Sequence, residues 1–494
     1  MYKLHLILKY LRKRRIAWVS LIAVMLCTAM VLIVISVMGG WLRMFRQTNH
    51  GLIGDLILSC RSMDGFSHYE ELIGDLRQVP EFEAAAPLIR TGGVINIRNA
   101  FHSIVQVVGY DIKDVAKVNN FAQSLYWQPD RLYAKADEYQ KQGALEDAAA
   151  LRAKAKAFPS WDKLFAPDTY RDQLPAAKMD VSQWTGMIVG TNLALPRNPA
   201  TGQVERPDWV YQYWVHLTVV PSLERAESGL SGSTVIPGWM VDDSHTKVFI
   251  VDANTVYLPF DVLQQRLNMD ARPYSDKEGH QLTIPARCSE VEVKLKPGSD
   301  PYAAKPAIEQ IVAKLQQKYP DMVSNEYPVT VENWDQRQSD ILEAVEHEKM
   351  LLVILFAIIS VVAIFLIFCI FFMIVVEKTR DIGIIKSVGA TSGGVAAIFL
   401  GYGLTIGVIG AGMGLLLGYL VVHNINQLHA WMSQHLGVTV WNAKTYLFDT
   451  IPNTMETRDV VVIVTVAILS SVLGAVVPAL RAARMNPVEA LRWE

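Results

Sequence analysis

Four long apolar runs punctuate the chain, and no acidic or basic residue interrupts them: Ile16–Met38, Met350–Val376, Val395–Val422 and Val460–Leu480. A helix needs roughly 20 such residues to cross a hydrocarbon core of about 30 Å. Each run meets that length, so the pattern predicts four membrane-spanning helices. The second and third are long enough to tilt or to project past the bilayer. The first follows a basic stretch, as a signal peptide does. Its apolar run outlasts the roughly 7–15 residues of such a leader and no small-residue cleavage pattern closes it, so it reads as a retained helix.

Between the first two runs the pattern shifts. Leu52–Cys60 reads as a strand, Gly65–Val79 as a helix, and Ala86–Arg98 with Ser103–Tyr110 as a pair of strands. Much later, Cys288–Lys296 alternates at Val291, Val293 and Leu295, residues 301–319 look helical, and Val329–Val331 sits in another strand. The order β-α-β-β, insertion, β-α-β resembles a ferredoxin-like split β-α-β core interrupted by an inserted β-rich subdomain at about 111–286. Within that insertion Val210–Val220 is strand-like. Arg131–Ala157, rich in Ala, Lys, Glu and Gln, favours a helix or a helical hairpin about Gly143. Its apolar face is slight, which places it on the surface as a partner-binding element or a tolerated insertion. The fold class is thus a four-helix membrane protein with a large α+β extracytoplasmic domain.

Composition agrees with a mixed chain: 51% of residues are hydrophobic and 19% charged. The net charge of −2 offers no basic surplus for nucleic acid. Lysine and arginine set the orientation. Lys3, Lys9, Arg12, Lys13, Arg14 and Arg15 precede the first run; Lys378, Arg380 and Lys386 follow the second; Arg481, Arg484 and Arg492 follow the fourth. The segment 423–459 holds only Lys444 and Arg458. Both termini, 1–15 and 481–494, are therefore expected in the cytoplasm with the segment 377–394. The order is then spans at 16–38, 350–376, 395–422 and 460–480, with 39–349 and 423–459 on the far side. Cys60 and Cys288 would lie in an oxidising compartment, where a disulfide between neighbouring strands is possible. Cys27 and Cys369 fall within spans and read as small apolar residues.

Three segments carry candidate chemistry. Glu377, Lys378, Arg380 and Asp381 give way to Ile382, Gly383, Ile384, Ile385, Lys386, Val388, Gly389 and Ala390. Ile382, Ile385 and Val388 fall on one helical face. This short amphipathic helix either rests on lipid headgroups or docks on a cytoplasmic motor. The third run carries Gly403, Gly407, Gly410, Gly414 and Gly418 at G-x-x-x-G spacings, which bring helices close within one subunit or between two. In the tail, Pro478, Ala482 and Ala483 precede Asn486, Pro487 and Glu489, where Asn486 can cap a final helix and Glu489 completes a capping box.

Catalytic signatures are missing. Gly389-Ala390-Thr391-Ser392-Gly393-Gly394 has glycines but no lysine for phosphate. Neither an H-E-x-x-H zinc motif nor a G-x-S-x-G elbow occurs. Asp242-Asp243-Ser244-His245 reads as a turn rather than a metal site. No metal and no cofactor is expected in this chain.

The pair of signatures Glu377–Ala390 and Pro478–Arg492 resembles the FtsX-like, MacB-type permease family of ABC transporters. The opening Leu8–Arg15, Val34–Gly40, Gly190–Ala194, Trp334, Glu348-Lys349 and Tyr446–Pro452 are similar to the lipoprotein-releasing subunits LolC and LolE. Residues 111–185 depart from that pattern. The resemblance implies a permease in the bacterial inner membrane, paired with a second copy or a homologue. It implies a LolD-like ATPase subunit, which would bind ATP and Mg, coupled through the 377–390 helix. The far-side domain would release lipoproteins to a soluble LolA-like carrier. FtsX-like regulation of a cell-wall hydrolase and MacB-like export are the alternatives. Each buried CH₂ of an acyl chain is worth about 0.8 kcal/mol, so pulling a triacylated protein out of a membrane requires an energy source.

Overall fold

The computed structural model describes residues 15–62, 64–98, 101–162, 184–196, 204–219, 233–275, 281–323, 327–438, 440–442, 448 and 450–492. The basic residues of 1–14, and Tyr446, Leu447 and Asp449, lie outside them. Two compact units emerge, one from residues 1–45, 340–442 and 450–494, the other from 46–339 with 443–449.

In the first unit, four helices are long and apolar enough to cross a membrane: Trp18–Leu52, Glu346–Glu377, Ser392–His423 and Thr457–Arg484. The helices holding the first two runs extend over Arg15–Leu52 and Ser339–Glu377. At 1.5 Å per residue, each is about 57 Å long, well beyond an apolar core of about 30 Å. The third helix starts with Thr391, whose side chain accepts from the Gly394 amide at 3.1 Å.

The glycines of the third helix answer the question of packing. A Cβ on Gly403 would lie 2.7 Å from Cβ of Ala475, and one on Gly407 would lie 3.0 Å from Cβ of Ser471, both on the fourth helix. Gly410, Gly414 and Gly418 face the first helix instead, at Val24, Thr28 and Leu32. All five meet neighbouring helices of the same chain. The reason is geometric: one glycine stripe winds from the fourth helix to the first along the third.

The second unit is built on strands β1 (Leu56–Ser59), β2 (Phe66–Ser67), β3 (Phe82–Ile97), β4 (Phe101–Tyr110), β5 (Thr185–Gly190), β6 (Trp214–Val219), β7 (Thr234–Ser244), β8 (Thr255–Pro259), β9 (Arg272–Ser275), β10 (Gln281–Ile284), β11 (Arg287–Cys288), β12 (Glu290–Leu295) and β13 (Thr330–Asn333). Nine of them join in the order β13-β1-β12-β3-β4-β8-β5-β7-β6, and β6 pairs back onto β3. Two regions share that sheet. At one end β13, β1, β12 and β3 each run antiparallel to their neighbours. Helices Tyr69–Leu76 and Pro301–Lys318 supply Leu72, Leu76, Ile308, Val312 and Leu315 to a core with Val291 and Val293. At the other end β3, β4, β8, β5, β7 and β6 close a six-stranded ring around Ile95, Val107, Val189, Leu217, Met240 and Val256.

β3 belongs to both regions. Phe82–Leu88 pairs with β12, while Gly93–Ile97 is flanked by β4 and β6. A Cβ on Gly93 would sit 2.8 Å from Val107 and 2.9 Å from the Thr218 carbonyl, so glycine permits the close approach where the ring shuts.

Several expectations are corrected here. The segment read as a helix from Gly65 begins as β2, and its helix runs only Tyr69–Leu76. The Ala-rich segment does form a hairpin of helices, Pro129–Lys141 and Leu145–Ala157, turning at Gly143 with φ of 87°. It is no surface ornament, because Leu132, Ala136, Ala148, Leu151 and Ala155 enter the ring's core. Asp242, Asp243 and Ser244 are not a turn but the buried end of β7. Asp243 accepts from the Thr191 hydroxyl at 2.6 Å, the Tyr211 hydroxyl at 2.6 Å and Arg206 Nη2 at 3.0 Å, which offsets its burial. Cys60 and Cys288 are both free thiols, so the possible disulfide is not formed. Cys288 pairs with Phe66 across β2 and β11, and Cys60 points at the Ser62 carbonyl, 3.8 Å away.

Glycine packing predicts an asymmetry. Gly414→Val drives a side chain into the Met25 carbonyl and Thr28 and is expected to destabilise the helix unit by about 1–3 kcal/mol. Gly412→Val, with nothing within 4 Å, is expected to melt as the natural chain does in detergent. Equal melting of the two variants would refute the packing.

Glu292 of β12 predicts a pH dependence. It is 1% exposed, and Oε2 accepts from Asn119 Nδ2 at 2.8 Å. Burial pushes its carboxyl from 4.5 up to about 7, with Arg90 pulling the other way. A carboxyl raised by folding stabilises fully below its unfolded value, and that contribution is lost as pH rises through the folded value. Melts of the natural chain are expected to lose up to about 3 kcal/mol from about pH 5 to about pH 8. Glu292→Gln is expected to flatten that slope, and an unchanged slope would exclude Glu292 as its source.

Candidate functional site

The ends of three long helices meet around the short helix Thr379–Ser387. The second helix stops at Glu377, where the Thr379 hydroxyl donates to the carbonyls of Val375 and Val376 at 3.2 and 2.8 Å. Lys378 pairs with Asp381 across one turn. The short helix ends against Val388, and Gly389 takes a φ of 106°, which leaves the chain free to turn into the third helix through Ala390. Ile382 packs with Val375, Val395 and Ala482, and Ala390, Phe399 and Met485 press on the same cluster.

Lys386 makes the decisive bond. Its Nζ donates to the carbonyls of Ala483 and Met485 at 2.9 and 2.6 Å. These carbonyls close the C-terminal end of the fourth helix, which lacks partners of its own there and carries the negative end of the helix dipole. Beyond it, Asn486 accepts from the Val488 amide at 3.1 Å, and Pro487 opens the helix Pro487–Arg492. That tail helix packs against the short one. Pro478, Ala482 and Ala483 are buried on the fourth helix; the Glu489 side chain lies outside the described residues.

The outward face differs from the expectation. Ile382 and Gly383 turn inward, whereas Ile384 is 47% and Val388 84% exposed. The helix ends at Ser387, so Val388 leaves the stripe shared with Ile382. Glu377, Arg380, Ile384 and Val388 thus form the accessible surface, and Lys386 serves inside. Counting residues could not show this, because the Lys386 acceptors are main-chain atoms on another helix.

Away from the short helix, an apolar cavity of about 230 Å³ lies between the first, second and fourth helices, beside Thr28, Phe356, Ser360 and Ser471. The Ser471 hydroxyl is buried there without a partner among the described residues.

The short helix, the glycine helix and the fourth helix fall within one matched region. Residues 353–487 match the family of the FtsX-like permease C-terminal domain. The chain carries an FtsX-like permease domain. The lipoprotein-releasing system transmembrane protein LolC of Xylella fastidiosa (strain 9a5c) is 30% identical over 167 residues, 34% of this chain and 40% of that protein. The corresponding LolE of Haemophilus influenzae is 26% identical over 210 residues, 42% of this chain and 47% of that protein. The chain thus spans less than half the length of these curated relatives. The crystal structure of the periplasmic region of MacB from Actinobacillus actinomycetemcomitans aligns with 59% of this chain and 95% of its own. Its TM-score is 0.25 and its identity 10%.

In this permease domain, Lys386→Met removes both bonds to the fourth helix. A bond to a charged group is worth about 1.5 kcal/mol or more, so amide exchange over residues 484–492 is expected to rise about tenfold. Unchanged exchange would show that Lys386 does not hold the tail.

Proposed function

We propose that the chain is the membrane subunit of an ABC transporter, coupling ATP hydrolysis by a separate subunit to motion across the membrane. The observation that carries this reading is the short helix Thr379–Ser387. It presents Ile384 and Val388 outward while Lys386 fastens it to the fourth helix. A push on that surface reaches the second, third and fourth helices together. The segment lies inside the matched permease region, which supports the docking reading over a helix at rest on headgroups. ATP and Mg belong to the partner ATPase in this reading. Both termini and the short helix face the cytoplasm, and the second unit is extracytoplasmic. We read its antiparallel end, in the order β13-β1-β12-β3, as a ferredoxin-like core split by the ring.

The substrate class we favour is lipoprotein, handed to a soluble carrier. Its supports are the likeness to LolC and LolE and the bare apolar surface of the helices, with Leu351, Val361 and Phe365 all more than 60% exposed on the second. A second permease copy or a homologue would complete the path.

Reconstitution with the companion ATPase tests both levels. Liposomes carry a labelled triacylated lipoprotein, a soluble carrier is added, and ATP-dependent transfer is followed. Transfer is expected, with a loss of at least about tenfold in Ile384→Asp/Val388→Asp because the docking surface is charged. ATP turnover without transfer would reject lipoprotein release in favour of another export substrate or control of a cell-wall hydrolase. ATP turnover and transfer both unaffected by the double variant would reject the docking surface.

A further inference from the structure

The fourth helix changes character along one face. Val477, Leu480, Arg481 and Arg484 fall at i, i+3, i+4 and i+7, so they line one side of the helix over about 10 Å. These four residues, with Thr379 and Asn486, border a cavity of about 580 Å³, a size typical of ligand sites. Val477 is 57% and Leu480 47% exposed, so its upper wall is apolar and open. Its floor is basic. The Arg481 guanidinium lies 4.4 Å from the centroid of the Phe372 ring on the second helix, which holds that cation at the mouth. Among the described residues, neither Arg481 nor Arg484 has an acidic partner.

We propose that this cavity binds a phospholipid with an anionic headgroup, its phosphate on Arg481 and Arg484 and its first acyl carbons along Val477 and Leu480. A free phosphate would use the cations and have no use for the apolar wall. A bare acyl chain would use the wall and strand the cations. A phospholipid joins the two chemistries in the order the helix presents them, and basic pockets between spans suit such headgroups. Bound there, the lipid bridges the second helix, through Phe372, and the short helix, through Thr379, to the fourth, and it sits beside the Lys386 tie. The proposal rests on the reading of these helices as membrane spans.

The test is native mass spectrometry of the full chain in nanodiscs of equal phosphatidylglycerol and phosphatidylethanolamine, with inorganic phosphate as the soluble competitor. The natural chain is expected to retain phosphatidylglycerol about tenfold over phosphatidylethanolamine. Arg481→Gln/Arg484→Gln is expected to lose that preference and Arg481→Lys/Arg484→Lys to keep most of it, with phosphate displacing nothing. Equal retention of the two lipids by the natural chain overturns the site, whatever the variants do. So does full preference in the glutamine variant. Displacement by phosphate overturns it in favour of a soluble anion. A chain that enters nanodiscs without preference loses the lipid site alone; one that fails to enter them loses the membrane reading as well.

Discussion

A bilayer gives helices no hydrophobic reason to associate, since lipid tails are as apolar as leucine. What holds the helix unit together is close approach along the third helix, where Gly403 and Gly407 receive the fourth helix and Gly410, Gly414 and Gly418 receive the first. Everything else in that unit follows from this contact. It sets the fourth helix where its end can meet Lys386. It also leaves the second helix with the least cover, so that its apolar side chains remain available to lipid or to another chain. Dispersion between backbones does the work that water-driven burial does in the second unit.

The second unit obeys the other regime. There the ring and the antiparallel end bury aliphatic side chains on alternate strand positions, and hydrogen bonds offset the cost of the polar groups buried with them. Asp243 shows the rule, with three side-chain donors around one carboxylate. Glu292 shows its cost, since Asn119 bonds one oxygen while the other has no hydrogen-bond partner among the described residues.

What could be read from the sequence was whatever depends on one element at a time. A charge-free run is visible by inspection, so the four long helices were placed without the structure. The β3–β4 hairpin was equally plain from its β-branched alternation. Features that depend on two elements were not visible. The hairpin 129–157 looked superficial because its buried face is mostly alanine, and only the ring opposite reveals that Ala136 and Ala148 are core. Asp242 and Asp243 looked like a turn because the Trp127 amide that bonds Asp242, and Arg206 and Tyr211 that bond Asp243, lie in other segments. Helical periodicity put Val388 beside Ile382, but the helix had already ended. The glycine spacing announced close packing and could not name the neighbour.

β3 threads both regions of the second unit with a single backbone, giving its first half to β12 and its second to the ring. The ring is therefore no detachable module. Excising it would cut β3 at Leu88 and leave Phe82–Leu88 as the end strand of the remaining sheet, a template for intermolecular pairing. An insertion in the loops around the ring leaves that junction intact, whereas one within β3 breaks it. The strand acts as a common beam, so bending one region must bend the other.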